Sequence, residues 1–227
     1  MPVLFKRRLV LLPTLWGLIL IALIIGSLVT FTFNRLAFFL APNKPVDGQY
    51  LVVEGWIGEQ ALLDAIGIFK QGQYLLLITS GGPDTRELNP QYDNYADKAA
   101  AFILSQGFDP NKLSAAPAPA SAQNRTYLSA VKVRHWFVDN NISPEYFDIF
   151  SSGVHARRTH QLYQMAFSDE TKIGIFAAKT DRYRLNTWWQ SSDGIKSVLT
   201  ELIGVAYISC CFYPDEFSSH QELWGIY

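Results

Sequence analysis

The residues best suited to chemistry are His155 and Arg158. They lie three apart just after Ser151-Ser152-Gly153, where an apolar run ends and a helical pattern begins. The inward stripe of that helix, read backwards, is Ala166, Met165, Leu162, Thr159, Arg158 and His155. Residues three and four apart share a helix face, so two positively chargeable groups occupy the first turn on the face aimed at the end of the sheet. A helix N-terminus already attracts anions through its free amides and its dipole. His155 and Arg158 there suit a phosphate or carboxylate, and His155 suits proton transfer. A structural role fits the same pair equally well, with Arg158 paired to a carboxylate and His155 satisfied by backbone.

Further candidates lie at other predicted strand ends. Glu54 is a candidate base or a partner for Arg158, and Asp84 is a second carboxylate nearby. Gly81-Gly82 follows a buried strand and lets backbone amides approach a ligand closely, although a plain tight turn is the commoner use of such a pair. Arg125-Thr126-Tyr127 opens another helix, with Thr126 as its natural cap. Arg125 either turns toward the same crevice or stays solvated. No Walker loop, G-x-G-x-x-G fingerprint or G-x-S-x-G elbow occurs. His135, His160 and His220 show no ligand spacing, so no metal and no cofactor is assigned. Cys210 and Cys211 are adjacent, and neighbouring cysteines rarely bridge. They are expected to be two small buried hydrophobes.

These residues need a scaffold, and the pattern supplies an α/β one. Strands are expected over 50–53, 74–79, 113–116, 146–151 and 173–177, with a last one over 208–213. Helices are expected over 61–69, 92–105, 126–138, 155–167 and from Trp188 to about Ala206. In the 126–138 helix, Tyr127, Ala130, Val131, Phe137 and Val138 should face inward. In the last helix, Trp188 falls on the stripe of Ile195, Leu199 and Leu202. Strands alternating with helices imply a mostly parallel sheet covered on both faces, a Rossmann-like three-layer sandwich. In such sheets ligands bind beyond the carboxyl ends of the strands.

Ahead of this domain, Lys6-Arg7-Arg8 precedes an uncharged run from Leu9 to Asn34. About 20 apolar residues cross a bilayer as a helix. The run is too long for a cleaved signal peptide and lacks its cleavage site, so a transmembrane signal anchor is expected over 9–34. The charge asymmetry favours residues 1–8 in the cytoplasm. This places the domain on the extracytoplasmic side of a cytoplasmic (inner) membrane as a single-pass protein. A linker over 35–48, a domain over 49–213 and a tail over 214–227 complete the organisation. A net charge of −1 and the lack of a basic stripe speak against nucleic-acid binding.

The order of motifs resembles the YdcF-like family of cell-envelope proteins (the SanA and ElyC type). A hydrophobic anchor is followed by a strand end in Val-x-Gly and another in Ser-Gly-Gly. Tyr95-Ala96, a Thr126-Tyr127-x-x-Ala130 helix start and His155-x-x-Arg158 come after them. The resemblance covers roughly residues 49–208 and is most specific over Ser152 to Thr159. Trp188 to Gly194 is similar to a block in a divergent branch. It implies a Rossmann-like fold and a role in envelope integrity, peptidoglycan or lipid-carrier metabolism, without an agreed reaction. Where the family commonly has Ser-Glu-Ala, this chain has Asn94-Tyr95-Ala96. Leu128 and Ser129 stand where it commonly has Glu and Asn.

Two functions are therefore expected to compete. One is an enzyme or binding domain for an anionic, phosphorylated envelope precursor, free or lipid-linked. In it Arg158 and Arg125 hold the anion beside Gly81 and Gly82, His155 is the acid/base and Glu54 its partner. The other is a non-catalytic module recruited to an envelope-assembly complex of unknown protein partners. A Rossmann-type nucleotide cofactor ranks last, because no acidic residue stands at the ribose position.

Overall fold

The computed structural model describes residues 12–83, 91–121, 124–167 and 169–214. It comprises two units, Met1–Leu36 and Ala37–Tyr227. Asp84, the basic triplet at 6–8 and the tail beyond residue 214 lie outside the described residues.

The first unit is the start of helix α1 (Leu15–Leu40), which is long and apolar enough to cross a membrane. Its large apolar side chains from Leu15 to Phe33 are exposed, as a helix meant for lipid requires. The helix runs six residues past Asn34, correcting the expected boundary. Its last turn belongs to the second unit, where Ala37 and Leu40 are fully buried.

The expected linker is in fact a packed strap. Lys44 exchanges two backbone hydrogen bonds with Ile175, of 2.8 and 3.1 Å. The amides of Val46 and Gly48 donate to the carboxylate of Asp148 at 2.8 and 2.9 Å, and Tyr74 Oη donates to it at 2.9 Å. Asp148 is fully buried, and three donors replace the water it has lost. Burial first, and then the charge of Asp148 beside it, raise the pKa of the Tyr74 hydroxyl.

The second unit carries a five-stranded, all-parallel sheet in the order β3-β2-β1-β4-β5. The strands are β1 (Tyr50–Glu54), β2 (Leu76–Gly81), β3 (Leu113–Pro117), β4 (Tyr146–Ser152) and β5 (Lys172–Ala178). Two cores, one on each face, make the three layers. Leu51, Val53 and Leu77 pack with α2 (Glu59–Gln71) and α3 (Tyr95–Ser105). Val52, Ile78 and Ile149 pack with α4 (Arg125–Asp139) and α5 (Ala156–Ala166). Alternate residues of one strand thus fill opposite cores, which is why these strands read as unbroken apolar runs. The strand order reverses between β1 and β4, and that is where such a sheet opens a crevice at its carboxyl edge.

The C-terminal region departs from expectation. Trp188 lies in a separate 3-10 turn (Leu185–Gln190), and α6 (Ser192–Cys210) begins after a break capped by Ser191, whose Oγ accepts from Gly194 N at 3.0 Å. Trp188 is buried, but Ile195 and Leu199 are exposed. The buried stripe of α6 is instead Gly194, Val198, Glu201, Val205 and Ile208. That stripe holds its helical period through Ile208, so no strand forms over 208–213, and Phe212 turns back against Tyr127. Cys210 and Cys211 are exposed and bonded to each other, correcting the expectation of two buried hydrophobes. Val138, expected inward, is exposed, because Phe137 takes the buried position beside it.

Candidate functional site

The crevice lies at the carboxyl ends of β1, β2 and β4, with a volume of about 740 Å³. That is the size of a small-molecule site. Glu54, Gly81, Gly82, Arg125, Thr126, His155 and Arg158 all line it. Every residue singled out in the sequence as a site candidate and described by the structure therefore faces one cavity.

His155 sits at its centre. It closes the 3-10 turn Gly153–His155, and α5 starts at the next residue. Gly153 has φ +38°, which makes room for the sharp turn out of β4. One ring nitrogen, Nδ1, lies 2.9 Å from Glu201 Oε1. Arg158 also donates to Glu201, from Nε to Oε2 at 2.7 Å and from Nη2 to Oε1 at 3.0 Å. Because a carboxylate only accepts, Nδ1 is the donor to Glu201, and the 3.0 Å approach of Arg158 Nη2 to Nδ1 is two donors converging on Oε1. Nδ1 therefore carries a proton. The other nitrogen, Nε2, faces Thr126 Oγ1 at 3.5 Å and Glu54 Oε1 at 3.6 Å.

Glu54 is fixed independently. Ser151 Oγ donates to its Oε2 at 2.5 Å, and Thr159 Oγ1 donates to Oε1 at 3.1 Å. Both hydroxyls are fully buried. Glu54 was weighed as a partner for Arg158, but Glu201 takes that role. Thr126 also differs from expectation. The residue before α4 is Asn124, in the left-handed region at φ 48° and without a side-chain cap. Thr126 is already inside the helix, so its hydroxyl is free to turn toward His155.

The electrostatics follow from this packing. Burial disfavours the imidazolium, but the charge of Glu54 and the hydrogen bonds to Glu201 and Glu54 outweigh it, and the pKa of His155 rises to about 9. Burial likewise pushes Glu201 up. Its bonds to His155 and Arg158 outweigh that and bring its pKa down to about 2. Glu54 is lowered too: burial opposes its charge, and the charge of His155 overcomes it. At neutral pH the centre is thus a cationic acid between two carboxylates.

Gly81 and Gly82 have a packing reason of their own. Gly81 has φ +150°, and a Cβ there would meet Tyr95 Cβ at 2.9 Å. A Cβ on Gly82 would lie 3.1 Å from Pro119 O. Arg125 and Arg182, by contrast, are exposed on the crevice lining. Among the described residues no group of three or more His, Cys, Asp or Glu side chains is arranged to hold a metal ion.

Four contributors were not singled out in the sequence as site residues. Glu201 had a signal, a lone carboxylate on the stripe of Gly194, Val198, Val205 and Ile208, but the more apolar stripe one residue on masked it. Ser151 and Thr159 were visible at the strand end and on the helix face without any sign that they grip Glu54. Arg182 follows β5 in a segment with no periodicity. No family model matches this chain, and no curated protein matches it in sequence.

Proposed function

We propose that this is a divergent YdcF-like protein whose crevice binds and processes an anionic, phosphorylated envelope precursor. The observation that carries the reading is His155, held as a cationic acid by Glu201 with Nε2 facing the crevice beside Glu54. In this reading Nε2–H donates to the bound phosphate, water attacks the phosphorus and loses its proton to Glu54, the P–O ester bond breaks, and His155 gives its proton to the leaving oxygen. Arg158 is committed to Glu201 and acts by orienting His155. Recruitment of the anion falls to Arg125 and Arg182, helped by the uncapped start of α4. The anchor would hold the domain on the outer side of the cytoplasmic membrane, where lipid-linked and free precursors both pass.

The test is a thermal-shift series on the full chain in detergent micelles, with inorganic phosphate and phosphorylated precursors. A ligand that binds only the folded state raises its melting temperature. A rise that shrinks in Arg125→Ala combined with Arg182→Ala supports the reading; no rise with any phosphate rejects it.

A second reading, a non-catalytic interaction module, is favoured by α6. Its outer face shows Ile195, Leu199, Ile203 and Tyr207 to solvent, a row at helical spacing. It predicts that polar substitutions along that row disturb the envelope phenotype more than His155→Ala does.

A further inference from the structure

Trp56 is a feature of the crevice that anion chemistry does not use. It lies two residues past β1, lines the cavity and is 41% exposed. The other described tryptophans of the domain, Trp136, Trp188 and Trp189, are buried or half-buried. Trp56 is nevertheless held in place. The amide of Gly55 donates to Ser80 O at 2.7 Å. A Cβ on Gly55 would run into Tyr95 O and come within 3.0 Å of Ser80 O. The backbone before Trp56 is therefore pinned between β2 and α3. Its indole meets the His155 ring edge to face, with centroids 5.1 Å apart and planes at 86°. A large, flat, preorganised apolar surface thus stands next to the proton donor.

We propose that Trp56 is a ring-binding wall and that the ligand is a phosphorylated sugar, its pyranose packed on the indole and its phosphate reaching His155, Arg125 and Arg182. This rests on the anion-binding reading above and names its substrate class. Three observations carry it. The cavity of about 740 Å³ is far larger than a bare phosphate needs. The cavity lining is rich in hydroxyl and amide groups, among them Asn124, Thr126, Ser129 and Ser152, which suit a ring with a hydroxylated rim. A nucleobase held by stacking is best served by two flat walls, and among the described lining residues Trp56 is the only large apolar side chain that is exposed. Ile57 is buried, and Tyr95 is half-buried against Gly81. A pyranose needs one apolar wall, and Trp56 provides it.

The experiment compares the affinities of inorganic phosphate, glucose 1-phosphate and uridine 5′-monophosphate for the full chain in micelles by calorimetry. Glucose 1-phosphate should bind about tenfold tighter than phosphate, the worth of one aromatic packing contact. In Trp56→Ala that preference should collapse, and Trp56→Phe should keep most of it. Equal binding of sugar phosphate and phosphate by the natural chain overturns the proposal while leaving the anion site standing. So does tighter binding of the nucleotide than of the sugar phosphate. Binding of none of the three overturns the proposal and the anion site together. Because the natural chain alone gives a decisive ratio, a misfolded Trp56→Ala would not shelter the idea.

Discussion

At the scale of single residues, the centre is a chain of charge from Arg158 through Glu201 and His155 to Glu54. Arg158 is half-buried and the other three are buried, and the charges of Glu201, His155 and Glu54 are sustained by their neighbours. Glu201→Gln should therefore act at a distance. It leaves Arg158 and His155 short of a carboxylate and should cost about 2 to 3 kcal/mol of stability. It should also bring the pKa of His155 down from about 9, which an NMR titration of the imidazole protons would follow. An unchanged titration would mean that Glu54 alone holds the proton.

The same shift makes stability depend on pH. The pKa of His155 is 6.5 without its neighbours and about 9 in the fold. Its stabilisation is complete below 6.5 and is lost as pH rises through 9. The difference is on the order of 3 kcal/mol, at 1.36 kcal/mol per unit. Glu201 has the opposite sign: its contribution is present above 4.5 and lost as pH falls through about 2. Chemical denaturation at pH 6, 7.5 and 9 should show the alkaline loss in the natural chain and a flatter profile in His155→Gln.

At the scale of elements, two connections do more than their composition suggests. The strap over 44–48 is sewn to β4 and β5 through Asp148 and Lys44. Asp148→Ala strands three donors, two of them buried, and a loss of about 3 kcal/mol is expected, mostly from their desolvation. A melting temperature within a degree of the natural chain would show that the strap contributes little. The turn after β1 has no room for a side chain at residue 55. Gly55→Ala should destabilise by about 2 kcal/mol or more, because backbone rather than a flexible side chain must give way. If it folds at all, it should lose the His155–Trp56 contact first, visible as a change in tryptophan emission.

At the scale of the whole molecule, the N-terminal helix is long and apolar enough to cross a membrane. A chain lacking residues 1–36 should leave the membrane fraction, whereas the full chain should resist extraction by salt or alkali. Recovery of the shortened chain with membranes would instead point to the exposed row on α6 as a second contact with the bilayer or with a membrane partner.

Much of this was written in the chain itself. The length of the apolar run over 9–34 determined a helix long and apolar enough to cross a membrane. Strand-type runs separated by helical periods determined the parallel sheet, because only strands buried on both faces tolerate unbroken apolar sequence. Given the sheet, the rule that ligands sit at strand carboxyl ends was enough to pick out Glu54, Gly81, Gly82, Arg125, Thr126, His155 and Arg158 as neighbours. Which of them touch, and how, was decided only by tertiary structure. Glu201 lies 46 residues from His155, and its position depends on which face of α6 turns inward. That choice is made by packing against α5, where Arg158 lies so close to Gly204 that a Cβ there would meet Arg158 Cδ at 2.8 Å. Local periodicity favoured the more apolar face, which is the one left in water. The pairing of Arg158 with Glu201 rather than Glu54, and the charge that pairing lends His155, are contacts between distant segments, and no spacing within a single segment encodes them.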